Sequence, residues 1–113
     1  MTFAARTLGG ALKLAVTIPA GVTSSGTIGN HNFGTITPTI TNGSGSYTYA
    51  WHESDDGFGI WTAAGTASTQ GVNVTNVGSG GTTAVASYYL TLTDTGTGQT
   101  ANSNTASYSW THN

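Results

Sequence analysis

Three histidines, a knot of carboxylates and two neighbouring aromatic rings are the side chains of this chain whose chemistry reaches beyond packing. His31, His52 and His112 are its only imidazoles, and three neutral imidazoles converging with an open fourth position would hold zinc. The sequence spreads them over a loop, a strand and the terminus, which suits unrelated surface or rim side chains better. Glu53, Asp55 and Asp56 could offer oxygens to Ca²⁺, yet the spaced ligands of a calcium loop are missing and a solvated turn accounts for them. Glu53 with Asp55 or Asp94 would be an acid and base for a glycoside, but nothing along the chain positions the pair. No Gly-x-Ser-x-Gly elbow is present, and Gly43-Ser-Gly-Ser lacks a strand-to-helix setting. The expectation is therefore no enzyme, no cofactor and no metal. Phe58 and Trp61 flank Gly59 beyond the acidic turn, where they either form an exposed sugar-stacking platform or cap one end of the core.

The elements that must carry these residues are strands. Ala86, Tyr88, Leu90 and Leu92 alternate with Ser87, Tyr89, Thr91 and Thr93 up to Asp94, a half-buried strand at period two. Tyr47-Thr-Tyr-Ala-Trp51 is a second, with Trp51 expected in the core. Leu12, Leu14, Val16 and Ile18 share one face of a first strand that ends at Pro19, and residues 20–32 read as a loop with at most a short edge strand. Ile36, Pro38 and Ile40 alternate with threonines, and Pro38, unable to donate to a ladder, belongs at an edge or a bulge. Val72 and Val74 mark another strand, closed by Gly78 to Gly81. After a hairpin loop at 94–98, Ala106, Tyr108 and Trp110 share a face of the last one. Phe58, Ile60 and Trp61 would form a short extra strand.

Composition agrees. The chain has 113 residues, 17 of them Gly, and no Cys, so burial and the backbone ladder must hold one domain without disulfide or thiolate staples. Charged residues make up 5%, against about 25% in ordinary domains. Thr with Gly and Ser favours strands and turns, and 10% aromatics argues against disorder. Arg6 and Lys13 are the only basic side chains, which excludes a phosphate-neutralising stripe and hence nucleic acid as a partner. No run approaches the roughly 20 apolar residues of a membrane helix, and Lys13 interrupts the one stretch that imitates a signal peptide. Residues 1–10 read as an N-terminal arm, since Gly9-Gly10 breaks regularity, and 11–113 as the body, an all-β sandwich of about seven antiparallel strands.

At Ile40, Trp51 and Ala86-Ser-Tyr88-Tyr-Leu90 the chain resembles the immunoglobulin-like superfamily, in particular its PKD-like and bacterial Ig-like branches. The resemblance puts Ile40 and Leu90 where antibody domains carry their cysteines, with Trp51 and Tyr88 beside them as structural core. Gly45-Ser-Tyr-Thr-Tyr-Ala-Trp51 and the Tyr-x-Leu-x-Leu-x-Asp stretch ending at Asp94 look like PKD-type strands, though a His-x-Tyr segment before the penultimate strand is missing. Free-standing domains this rich in Thr and Gly are similar to decoration and tail-surface proteins of tailed bacteriophages.

That resemblance implies a non-enzymatic structural protein on a virion surface, made in the host cytoplasm without a signal peptide. It would be bound to the major capsid or tail protein, with homo-oligomers possible in place. The arm, through Thr2, Phe3, Arg6, Leu8 and Leu12, would supply apolar and basic contacts. A carbohydrate-binding or adhesive module is the alternative, with Phe58 and Trp61 on a host-surface glycan.

Overall fold

The computed structural model describes residues 12–55 and 59–113. All the regular structure among them is extended: β1 (Ala15–Thr17), β2 (Thr23–Gly26), β3 (Asn30–Ile36), β4 (Thr39–Thr41), β5 (Tyr47–Ser54), β6 (Thr62–Gly65), β7 (Gln70–Thr75), β8 (Thr82–Asp94), β9 (Thr100–Asn102) and β10 (Ala106–His112). The fold is an immunoglobulin-like β-sandwich. One layer runs β2-β10-β8-β5-β6, with β9 also paired to β8; the other consists of the ladders β1-β4 and β3-β7.

Period-two burial explains the main layer. Trp51 from β5, then Ala86, Tyr88, Leu90 and Leu92 from β8, and Ala106, Tyr108 and Trp110 from β10 all turn inward. They meet Leu14, Val16, Ile18, Ile36, Val72 and Val74 of the opposite layer. His31 stacks on Trp110 at 4.2 Å and Phe33 lies 5.3 Å from Tyr108, so β3 packs its rings across the gap onto β10. Trp51, Tyr88 and Leu90 are 1%, 2% and 0% exposed, as core residues should be.

Several expectations change in detail. Thr37 and Pro38 separate β3 from β4, because Pro has no N–H for a ladder. Ile36 stays in the β3 ladder and is buried, whereas Ile40 passes to the short β1-β4 ladder opposite Val16 and is only half-buried. Ile40 thus packs against the margin of the core, and Ile36 is the fully buried one of the two. β3 begins at Asn30, inside what reads as a loop, and β6 starts at Thr62, leaving Ile60 and Trp61 of the expected short strand before it, while Phe58 lies outside the described residues. β9 and β10 lie along the same edge of β8, opposite its Thr91–Thr93 and its Thr82–Tyr88 respectively. At the break between them Ser103 N–H donates to the Leu90 carbonyl, and its hydroxyl accepts from Leu90 N–H.

One pairing departs from the antiparallel expectation: β2 lies parallel to β10, Thr23 opposite Ser109 and Gly26 opposite His112. The chain enters it at Gly21, whose φ of 114° and contact with the Ser107 backbone leave no room for a side chain. The amide of Asn104 takes Ile18 N–H and donates to the Ile18 carbonyl, standing in for a missing strand partner. Gln99 Oε1 does the same for Leu14 N–H. Buried Asn76 donates to the Thr82 and Trp110 carbonyls and accepts from Gly78 N–H and the Thr82 hydroxyl, so its amide plugs one end of the sandwich with every bond satisfied.

Candidate functional site

The three imidazoles stay apart. His31 lies on β3 between the rings of Phe33 and Trp110. His112 reaches the carbonyls of Asn76 and Thr27, and His52 stacks on Tyr89. No group of three metal-ligating side chains forms among the described residues.

Glu53 points inward at the end of β5, where Tyr88 Oη donates to its Oε2 at 2.9 Å. Glu53 borders a cleft of about 220 Å³ between β7 and the start of β8, lined also by Asp55, Asn73 and Thr75. Burial pushes the Glu53 carboxyl above the usual carboxylate range; nearby Asp55 pushes the same way and the Tyr88 bond opposes both. Burial and the same carboxylate raise the Tyr88 phenol. A carboxyl raised in the fold contributes stability that is complete below its unfolded value and is lost as pH rises through the folded one. Glu53→Gln keeps an acceptor for Tyr88 without the charge. It is expected to melt above the wild type at pH 7, with the gap closing as pH falls through the raised folded value and shut by 4.5, the ordinary glutamate value; thermal melts across that range check it.

The opposite face of the same strands is different in kind. A one-residue shift from Trp51 to His52, and from Leu90 to Tyr89, changes the side of the sheet a side chain faces. His52 and Tyr89 are directly opposed across the ladder, with rings 4.3 Å apart and nearly parallel. Trp61, half-buried just before β6, sets its indole 4.8 Å from Tyr89 at 83°. Beside these rings runs a polar chain: His52 Nε2 lies 3.0 Å from the Thr91 hydroxyl, which donates to Asn102 Oδ1 at 2.7 Å. With that hydroxyl giving its proton to Asn102, Nε2 is the ring nitrogen placed to donate to Thr91, and Nδ1 stands outside the chain. Around this patch the face carries Ser and Thr, with cross-strand hydroxyl pairs Ser87–Ser107 and Thr83–Thr111.

Of the residues singled out from the sequence, Trp61 and His52 belong to this patch, joined by Tyr89 rather than by carboxylates. Tyr89 was hidden because its role in the alternation is simply to face outward. Phe58 lies outside the described residues, as do Thr2, Phe3, Arg6 and Leu8 of the arm; Leu12 is 51% exposed. Asp94, which sequence pattern offers as an acid for catalysis, is instead tied into the fold. It accepts from Ser44 Oγ and N–H and from the N–H groups of Gly96 and Thr97.

No protein-family model matches the chain, and no curated protein matches its sequence. Among solved structures it is similar to the PKD domain of human KIAA0319, with a TM-score of 0.53 and 10% identity over 89% of this chain and 81% of that one. At that identity the likeness is one of fold: the chain carries the immunoglobulin-like architecture of a PKD domain.

Proposed function

We propose that this chain is a non-enzymatic structural module displayed on a larger assembly, and in its specific form a decoration or tail-surface protein of a bacteriophage virion. The observation that supports the reading is the state of the sheet edges. β2 reads Thr-Ser-Ser-Gly and β6 reads Thr-Ala-Ala-Gly, so both edges of the five-strand path lack the Lys or Pro that ordinarily deters sideways pairing. Short edges lessen the hazard, and fixed mounting removes it, because neighbours are held apart or the edge is occupied. Electron microscopy of purified particles carrying the chain tests this: sandwich-shaped density at regular lattice sites, lost on deleting residues 1–10, is expected. Particles lacking such density would sink the reading, and unchanged attachment of the truncated chain would remove the arm from it.

The His52–Tyr89–Trp61 patch favours a second reading, an adhesive or carbohydrate-binding module. Partly exposed rings with hydroxyl and amide groups beside them suit a ligand that is apolar on one face and hydroxylated at its rim. The two roles are compatible on one particle.

A further inference from the structure

We infer that the outer face of the β5-β8-β9 sheet binds a neutral oligosaccharide at a subsite built from Trp61, Tyr89 and His52, with Asn102 as its polar flank; this rests on the adhesive reading above and gives it an address. Trp61 and Tyr89 meet almost at a right angle. The His52 stack takes one face of Tyr89, and the C–H face of a pyranose is the complementary surface for a ring face left open in this partly exposed corner, its weakly positive hydrogens lying against the negative ring face. Tyr89 is held from moving by the His52 stack at 4.3 Å, and His52 by its bond to Thr91, so little rotamer freedom is lost when a sugar arrives. Hydroxyl recognition needs donors and acceptors that the fold has not consumed. Nδ1 of His52 and the amide N–H groups of Asn102 meet that need, because the internal chain occupies only Nε2 and Oδ1.

Charge selects the class of glycan. The outward residues of β5 and β8 alternate with the inward ones from Thr48 to His52 and from Thr83 to Thr93, and none bears a carboxylate, ammonium or guanidinium. The whole chain has only Arg6 and Lys13 as cations against a net charge of −2, so uronates, sialic acids and phosphorylated sugars find no counter-charge on this face and weak repulsion from the rest.

The test is a two-dimensional NMR titration of the full chain with maltohexaose, cellohexaose and chitohexaose, alongside polygalacturonate and hyaluronan as anionic probes. At least one neutral hexasaccharide is expected to shift the Trp61 indole and the Tyr89 and His52 ring signals saturably while Trp51 and Trp110 stay still. Tyr89→Ala and Trp61→Ala are each expected to weaken binding at least tenfold, and Tyr89→Phe, which keeps the ring and the fold, less than threefold. Saturable binding that both alanine variants leave unchanged in folded protein would place the site elsewhere, overturning the inference and leaving the adhesive reading intact. Binding of the anionic probes alone would overturn the neutral class, and silence toward all five would remove the adhesive reading as well.

Discussion

Trp51→Ala is expected to cost about 3–5 kcal/mol of folding free energy, the range for removing a large buried aromatic. The side chain is 1% exposed, and its indole N–H donates to the Ala67 carbonyl at 2.8 Å. Truncation therefore opens a cavity between the layers and strips a partner from the loop after β6. Domains of this size carry about 5–15 kcal/mol in all, so the variant should sit near the edge of folding. Trp51→Phe fills most of the space and loses only the hydrogen bond, and should cost about 1–3 kcal/mol. Urea unfolding of both variants decides the matter; a loss under about 1 kcal/mol for the alanine variant would contradict a core built on this ring.

The second large effect is expected at Asp94. Its surface is wholly covered by the turns it binds, and its oxygens collect four donors from Ser44, Gly96 and Thr97. Those bonds, the Ser44 hydroxyl foremost, hold its carboxyl below the usual range against a smaller opposing effect of burial. The stability it contributes is present above the ordinary aspartate value of 3.8 and is lost as pH falls through the lowered folded one. Asp94→Asn keeps the shape but turns an N–H₂ toward groups that are themselves donors. At pH 7 the variant is expected to melt well below the wild type, by more than a substitution at any exposed Thr. Toward pH 2 the two melting curves should converge, as the wild-type carboxyl takes up its own proton. Parallel curves over the whole range would show that the charge is not what ties the turns together.

Much of this architecture was legible because one-sided burial leaves a period-two trace. β8, β10 and β5 each alternate apolar with polar residues, and all three turn the expected face inward. The same logic fails for β2 and β9, which read Thr-Ser-Ser-Gly and Thr-Ala-Asn. They join a sheet through backbone pairing and bury little, so no apolar rhythm announces them. Pro38 was correctly an irregularity, but only the paired partners show that it hands Ile40 to a different ladder from Ile36. Polar plugs are harder still to foresee. Asn76 and Asp94 resemble any turn residue until the distant carbonyls and amides they satisfy are brought to them. The outer patch is half visible: Trp61 stands out as a large ring beyond the acidic turn, whereas His52 and Tyr89 become a surface only once the register sets them side by side.

The parallel course of β2 beside β10 has a mechanical consequence. In a hairpin, tension on the two free ends opens the bonds one after another; in a parallel pair, the start of one strand and the finish of the other lie at opposite ends of the ladder. A pull applied near residue 20 and near residue 113 therefore loads Ser107 N–H on the Ala20 carbonyl, Ser109 N–H on Val22 and Asn113 N–H on Gly26 together, in shear. The molecule should resist stretching along that line far better than its weak, uncharged margin suggests.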